Sequence, residues 1–148
     1  MIILICKSKQ EDQHIIHTLF AERDKNDIFY YGFVDIDKYE YNIINTLKVD
    51  DVGDPHKRKY PILPSAYDPS NDIVFMSAIN NQNKIVLSAI NATAGILLHT
   101  FDSIPNEIIS LQYDILNKKL FAHTETDDKN LTQIVEIDTN TGNFIDIL

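Results

Sequence analysis

Apolar residues in this chain come in short runs, separated by clusters of Asp, Asn, Thr, Pro and Gly. The segment QIVEIDTNTGNFIDIL, Gln133 to Leu148, shows the unit: an apolar run, then Ile137-Asp138, a polar turn ending in Gly142, and a second apolar run. FVDIDKYEYNIINTL (Phe33 to Leu47) overlays it, with Ile36-Asp37 on Ile137-Asp138, and LSAINATAGILLHTF (Leu87 to Phe101) is a third copy, with Ile90-Asn91 and Gly95 in the same places. A second motif precedes the last two copies: SAYDPSNDIVFMSA (Ser65 to Ala78) overlays LQYDILNKKLFAHT (Leu111 to Thr124), placing Tyr67-Asp68 on Tyr113-Asp114 and Phe75 on Phe121. Two motifs in fixed order at a fixed period define a repeat. Asp or Asn opens each turn through its side chain, and Gly supplies a positive φ.

Each repeat then holds four strands. The pattern predicts them at 2–7, 13–21, 27–36 and 40–48, at 61–67, 72–79, 83–90 and 95–101, and at 108–114, 118–125, 132–138 and 143–148. Runs such as IFYYGFVDI and DIVFMSAI are apolar on both alternating faces, so these sheets are expected to be covered on both sides. The reading is one all-β domain over 1–148, with four-stranded units at about 1–48, 60–101 and 108–148 and a long loop over 49–59. Four short antiparallel strands per unit of this length match a β-propeller blade. Tyr67-Asp68-Pro69 and Ile137-Asp138-Thr139-Asn140-Thr141-Gly142 resemble the blades of the YVTN and quinoprotein-like propellers, which lack the WD40 signature. That resemblance implies three propeller-like blades, half of a ring. The alternative is a β-sandwich whose hairpins look alike. Three blades fall short of the four to eight of closed propellers, so a homodimer that closes a six-bladed ring head to tail is expected.

Composition narrows the function. Net charge is −9, which argues against non-specific nucleic-acid binding and against anionic membrane surfaces. The opening MIILI run is too short for a signal peptide or a membrane span, and the lone Cys6 permits no intrachain disulfide. A cytoplasmic location is the expectation. With 44% hydrophobic residues, four Gly and many β-branched residues, a packed core of strands is favoured.

The chain carries no GxSxG, HExxH, Walker A or GxGxxG motif, and its five histidines (14, 17, 56, 99 and 123) do not cluster. His99 and His123 lie in apolar runs and are expected to fill space between blades. No catalytic residue, metal site or cofactor is predicted. The largest break in the repeat is KVDDVGDPHKRKYPILP, Lys48 to Pro64. In a propeller, such a link opens on the face where the family holds ligands and partners. The candidate binding residues are therefore Asp50, Asp51, Asp54, His56, Lys57 and Arg58, in a loop expected to be solvated and the first cut by proteases. The three aspartates lack the spacing and Gly of an EF-hand loop. The function expected is a non-enzymatic interaction or scaffold module for a protein or peptide partner. A propeller hydrolase or lyase, and a purely structural assembly unit, are the alternatives.

Overall fold

A computed structural model describes residues 6–10, 13–21, 28–54, 57–59, 63–126, 128 and 131–146. Among the described residues, twelve strands form three antiparallel four-stranded sheets, each a meander in chain order. The first holds β1 (Cys6–Gln10), β2 (Gln13–Ala21), β3 (Ile28–Asp35) and β4 (Glu40–Lys48). The second holds β5 (Ser65–Asp68), β6 (Ile73–Ile79), β7 (Ile85–Asn91) and β8 (Leu97–Phe101). The third holds β9 (Ile108–Asp114), β10 (Lys119–Glu125), β11 (Thr132–Ile137) and β12 (Phe144–Asp146). The sheets are blade-like: β5, the first strand of the middle sheet, lies beside both other first strands, β1 and β9. One short α-helix, α1 (Val49–Val52), is the only one among the described residues.

The turns explain the strand boundaries. Asp68 Oδ1 accepts the backbone N–H groups of Ser70 and Asn71, and Asn71 Nδ2 donates to Oδ2 at 2.7 Å. Asp114 repeats this with Leu116, Asn117 and Asn117 Nδ2, again at 2.7 Å. The carboxylate satisfies turn donors that a strand would otherwise leave open. Ala94 donates to Asn91 Oδ1, and Asn140 donates to Asp138 Oδ1, in the turns between the third and fourth strands. In the first sheet the residue in this place is Asp35, which accepts from Asp37 and Lys38. The sequence overlay had put Asp37 there, two residues too late. The strand registers decide it: Asp35 pairs with Glu40 across a four-residue turn, as Asn91 faces Ile96 and Asp138 faces Asn143.

β5 begins at Ser65, just after Pro64, which has no N–H to give a ladder; residues 61 and 62 of the expected strand lie outside the described residues. Pro64 contributes only its carbonyl, to Ser77 N. The middle sheet is covered on both faces. Val74, Met76, Ala78 and Ile90 join Leu19, Phe29, Tyr31 and Leu47 of the first sheet. Phe75, Leu87 and Ala89 join Leu111, Tyr113, Leu120, Ala122, Val135 and Ile137 of the third. Alternate residues of β6 thus serve opposite cores, as the pleat requires. An aromatic layer runs through both junctions. Phe75 stacks on Tyr113 at 6.5 Å between the second and third sheets, and His17 stacks on Tyr67 at 5.8 Å between the first and second.

Candidate functional site

The meander sends the link from β4 to β5, the β6–β7 turn, the link from β8 to β9 and the β10–β11 connection to the same end of the sheets. Asp50, Asp51, Asp54, Lys57 and Arg58 sit there, and the described part of the link that carries them is anchored rather than loose. Val49 and Val52 of α1 are buried in the core between the first two sheets. The Asp51 carbonyl accepts from Ser88 Oγ at 3.0 Å and from Thr100 Oγ1 at 2.9 Å. Asp54 bridges to Ile79, its N–H donating to that carbonyl at 2.7 Å. A polar, Gly- and Pro-containing stretch reads as solvated in sequence. Two valines four-residue-helix style on one side, plus backbone groups offered to a sheet, hold it down.

The side chains divide into two roles. Asp50 Oδ1 accepts from Asn81 Nδ2 at 3.0 Å, and Lys57 Nζ donates to Asn81 Oδ1 at 3.0 Å and to the Asn80 carbonyl at 3.4 Å. These two remain at the surface with Asn81 between them. Arg58 is different: its side chain is 1% exposed. Its guanidinium donates to the Ser77 carbonyl at 3.2 Å and to the Ile108 carbonyl, and its Nε lies 3.4 Å from Glu107 Oε1. Arg58 therefore clamps the second sheet to the third and is not available to a partner. Lys59 adds its N–H to Glu107 and its ammonium to Glu125. His56 lies outside the described residues. Among the described residues no group of three His, Cys, Asp or Glu is placed to hold a metal ion, Asp50, Asp51 and Asp54 included.

The opposite end carries the aspartate turns and a cleft that the sequence reading did not find. It encloses about 400 Å³ between the second sheet and the β11–β12 turn, lined by Ile73, Phe75, Leu98, His99, Asn71 and Asn140 among others. His99 does not fill space between sheets; it is exposed on β8, the outermost strand, with its ring edge-on to Phe101 at 4.9 Å. His123 is half-buried on the open face of the third sheet. Behind the cleft, burial and the adjacent Asp68 carboxylate, which accepts a hydrogen bond from it, push the pKa of the Tyr113 hydroxyl up to about 12. Hydrogen bonds from Asn117 hold Asp114 below the usual carboxylate range, and backbone donation from Asn140 does the same for Asp138. These shifts belong to turn geometry, since ionised carboxylates are what the turn donors require.

His17 is a titratable group that breaks the repeat. It stands where Phe75 and Phe121 stand in the other sheets, paired through β2 and β3 in the same register. Tyr31 Oη lies 2.9 Å from its Nδ1, and burial lowers its pKa, partly offset by the charge of Asp72. Its only departure from the aromatic layer is a ring nitrogen that Tyr31 engages.

No protein-family model matches the chain, and no curated protein matches it. Solved structures do. A crystal structure of the uncharacterized protein lmo1340 from Listeria monocytogenes EGD-e superposes with a TM-score of 0.58 at 13% identity, over 94% of this chain and 38% of that one. This chain thus spans well under half the length of that neighbour, and the likeness is one of fold.

Proposed function

We propose that the chain is a propeller-type interaction module that acts without catalysis and offers the end bearing its long links to a protein or peptide partner. One observation carries this: the link through Asp50, Lys57, Arg58 and Lys59 is hydrogen-bonded to the β6–β7 turn, to Glu107 and to Glu125. Segments from the second and third sheets are thereby joined into one surface. A surface ordered in advance loses little conformational entropy when a partner docks. Asp50, Asn81, Lys57 and Lys59 remain outward on it, giving interleaved charges of both signs. Such a pattern sets register and selects against wrong partners more than it adds affinity. Arg58 and the Asp51 backbone hold the surface, and Asp50 and Lys57 present it.

A peptide-display selection against the whole chain tests the reading. Selected peptides should lose affinity by about tenfold or more in the double variant Asp50→Lys, Lys57→Glu. They should be unaffected by Leu116→Asp in a turn at the other end. Peptides that ignore the double variant and respond to changes at His99 or Asn140 would move the site to the cleft and defeat the proposal.

A further inference from the structure

One position of the repeat holds three different residues, and a cleft opens at one of them. Strand register fixes the position: Phe33 pairs with His17 in the first sheet, Ala89 with Phe75 in the second and Glu136 with Phe121 in the third. Phe33 shares a face of β3 with Phe29 and Tyr31, the face that packs on the second sheet. Ala89 lies with Phe75 in the core toward the third sheet. Glu136 is engaged by Lys119 at 2.7 Å. The first sheet thus carries a phenyl ring at this place and the third an ion pair, while the second has only a methyl group. Ala89 lines the cleft of about 400 Å³ beside the β11–β12 turn.

A second break in the repeat falls on the same spot. Ala89 pairs with His99 but Ile90 with Leu97, so Leu98 is bulged out of the ladder. The other two sheets are regular here: Phe33–Asn42 is followed by Val34–Tyr41, and Glu136–Ile145 by Ile137–Phe144. In a regular strand Leu98 and His99 would face opposite ways; the bulge brings both into the cleft lining. Ile73, Phe75 and Leu98 give the lining an apolar part, and Asn71, Thr139 and His99 add an amide, a hydroxyl and an imidazole. Among the described lining residues Asp68 is the one carboxylate. It is buried, and its oxygens are engaged by the N–H groups of Ser70 and Asn71, by Asn71 Nδ2 and by the Tyr113 hydroxyl. The described lining holds no Lys or Arg either, so the cleft offers hydrogen bonds rather than an ion pair.

We propose that the cleft binds a small neutral aromatic molecule, one six-membered ring with an amide or hydroxyl substituent. The ring takes the place over Ala89 that Phe33 holds in the first sheet, and the substituent meets the polar groups of Asn71, Thr139 and His99. A place that lacks a large side chain within an apolar lining accepts small aromatic molecules. A charged ligand would lose its water there without gaining a counter-ion. The volume lies within the range of ligand sites, about 300–1,000 Å³. The inference goes beyond the module reading and uses the other end of the sheets, so either can fail alone.

Titration of benzamide into the isotope-labelled full chain, followed by NMR, tests it. Saturable shifts are expected at the Ala89 methyl and the His99 ring, with a dissociation constant on the order of 1 mM, ordinary for a ligand of about nine non-hydrogen atoms. Acetamide, which has the amide but no ring, should bind at least about tenfold more weakly. Ala89→Phe supplies the ring from within the chain and should weaken benzamide binding by about tenfold or more. Leu98→Asp, at a side chain already 49% exposed, should do the same with an unchanged circular dichroism spectrum. No saturable shift at roughly 10 mM benzamide overturns the inference. So does full-strength binding in either variant once folded, or acetamide binding as tightly as benzamide.

Discussion

Replacing Arg58 by Ala removes the group that joins the second sheet to the third at the link-bearing end. Three interactions go together: the donors to the Ser77 and Ile108 carbonyls and the charge beside Glu107. The Glu107 side chain is only 14% exposed, so its carboxylate is left largely out of water without its cation. Breaking such a pair from one side costs about 3–5 kcal/mol, far more than the pair contributes relative to an apolar replacement. Water entering beside Glu107 offsets part of this, and about 3 kcal/mol is the expected loss. For a chain of this length that lowers the melting temperature by roughly 6–12 °C. Urea unfolding followed by circular dichroism measures it. Lys57→Ala, at the surface and one residue before Arg58, should change stability by no more than about 0.5 kcal/mol. Limited proteolysis adds a second readout: cleavage within 49–59 should be slow in the unaltered protein and fast in Arg58→Ala. If Arg58→Ala loses less than about 1 kcal/mol, or behaves like Lys57→Ala, the clamp does not hold the sheets and the link is as loose as its composition implies.

Two further outcomes follow from the repeat. Gly142→Ala should cost about 3 kcal/mol, combining the left-handed backbone penalty with overpacking against Phe101; Tyr39→Gly, at the equivalent turn of the uncovered sheet, should leave stability unchanged or raise it by about 1 kcal/mol, and urea midpoints that rank the two alike would show that the third sheet does not close on Phe101. His17 is held below its ordinary pKa in the fold, so protonation favours the unfolded chain: its contribution is intact above about pH 6.5 and is lost as pH falls through the lowered value. His17→Phe, which copies Phe75 and Phe121, should flatten the stability profile between about pH 7 and 5; an unchanged slope would place the titration on other groups.

Much of the architecture was legible in the sequence because it is written in local chemistry. Tyr-Asp and Ile-Asp turns, with a carboxylate or amide accepting two N–H groups a few residues on, need no tertiary contact to be recognised. The DIVFMSAI run told that the middle sheet is covered on both faces, since alternate residues must each find a core; the same reading of IFYYGFVDI did not hold for the first sheet, where Tyr41 and Ile43 of the outer face are exposed. The first copy was misplaced by two residues because Asp35 and Asp37 offer the same side chain at the same parity. Only the pairing of Asp35 with Glu40 across a four-residue turn tells them apart.

The site was less legible, and for a definite reason. Asp50, Asp51, Asp54, Lys57 and Arg58 form one polar stretch in sequence, with nothing local to separate a clamp from a displayed charge. The partners that separate them lie at Ser77, Asn81, Glu107 and Ile108, in three other segments. The same holds for His99, exposed on an outermost strand, and for His17, buried in an aromatic layer. By itself the sequence determined the grouping of strands in fours and most of their turns, because those depend on neighbours along the chain; the first strand, expected at 2–7, is found at Cys6–Gln10, with 2–5 outside the described residues. Tertiary structure alone decided which faces are covered and which charges are spent on holding sheets together. That depends on which residues distant in sequence are brought within a few ångströms of one another.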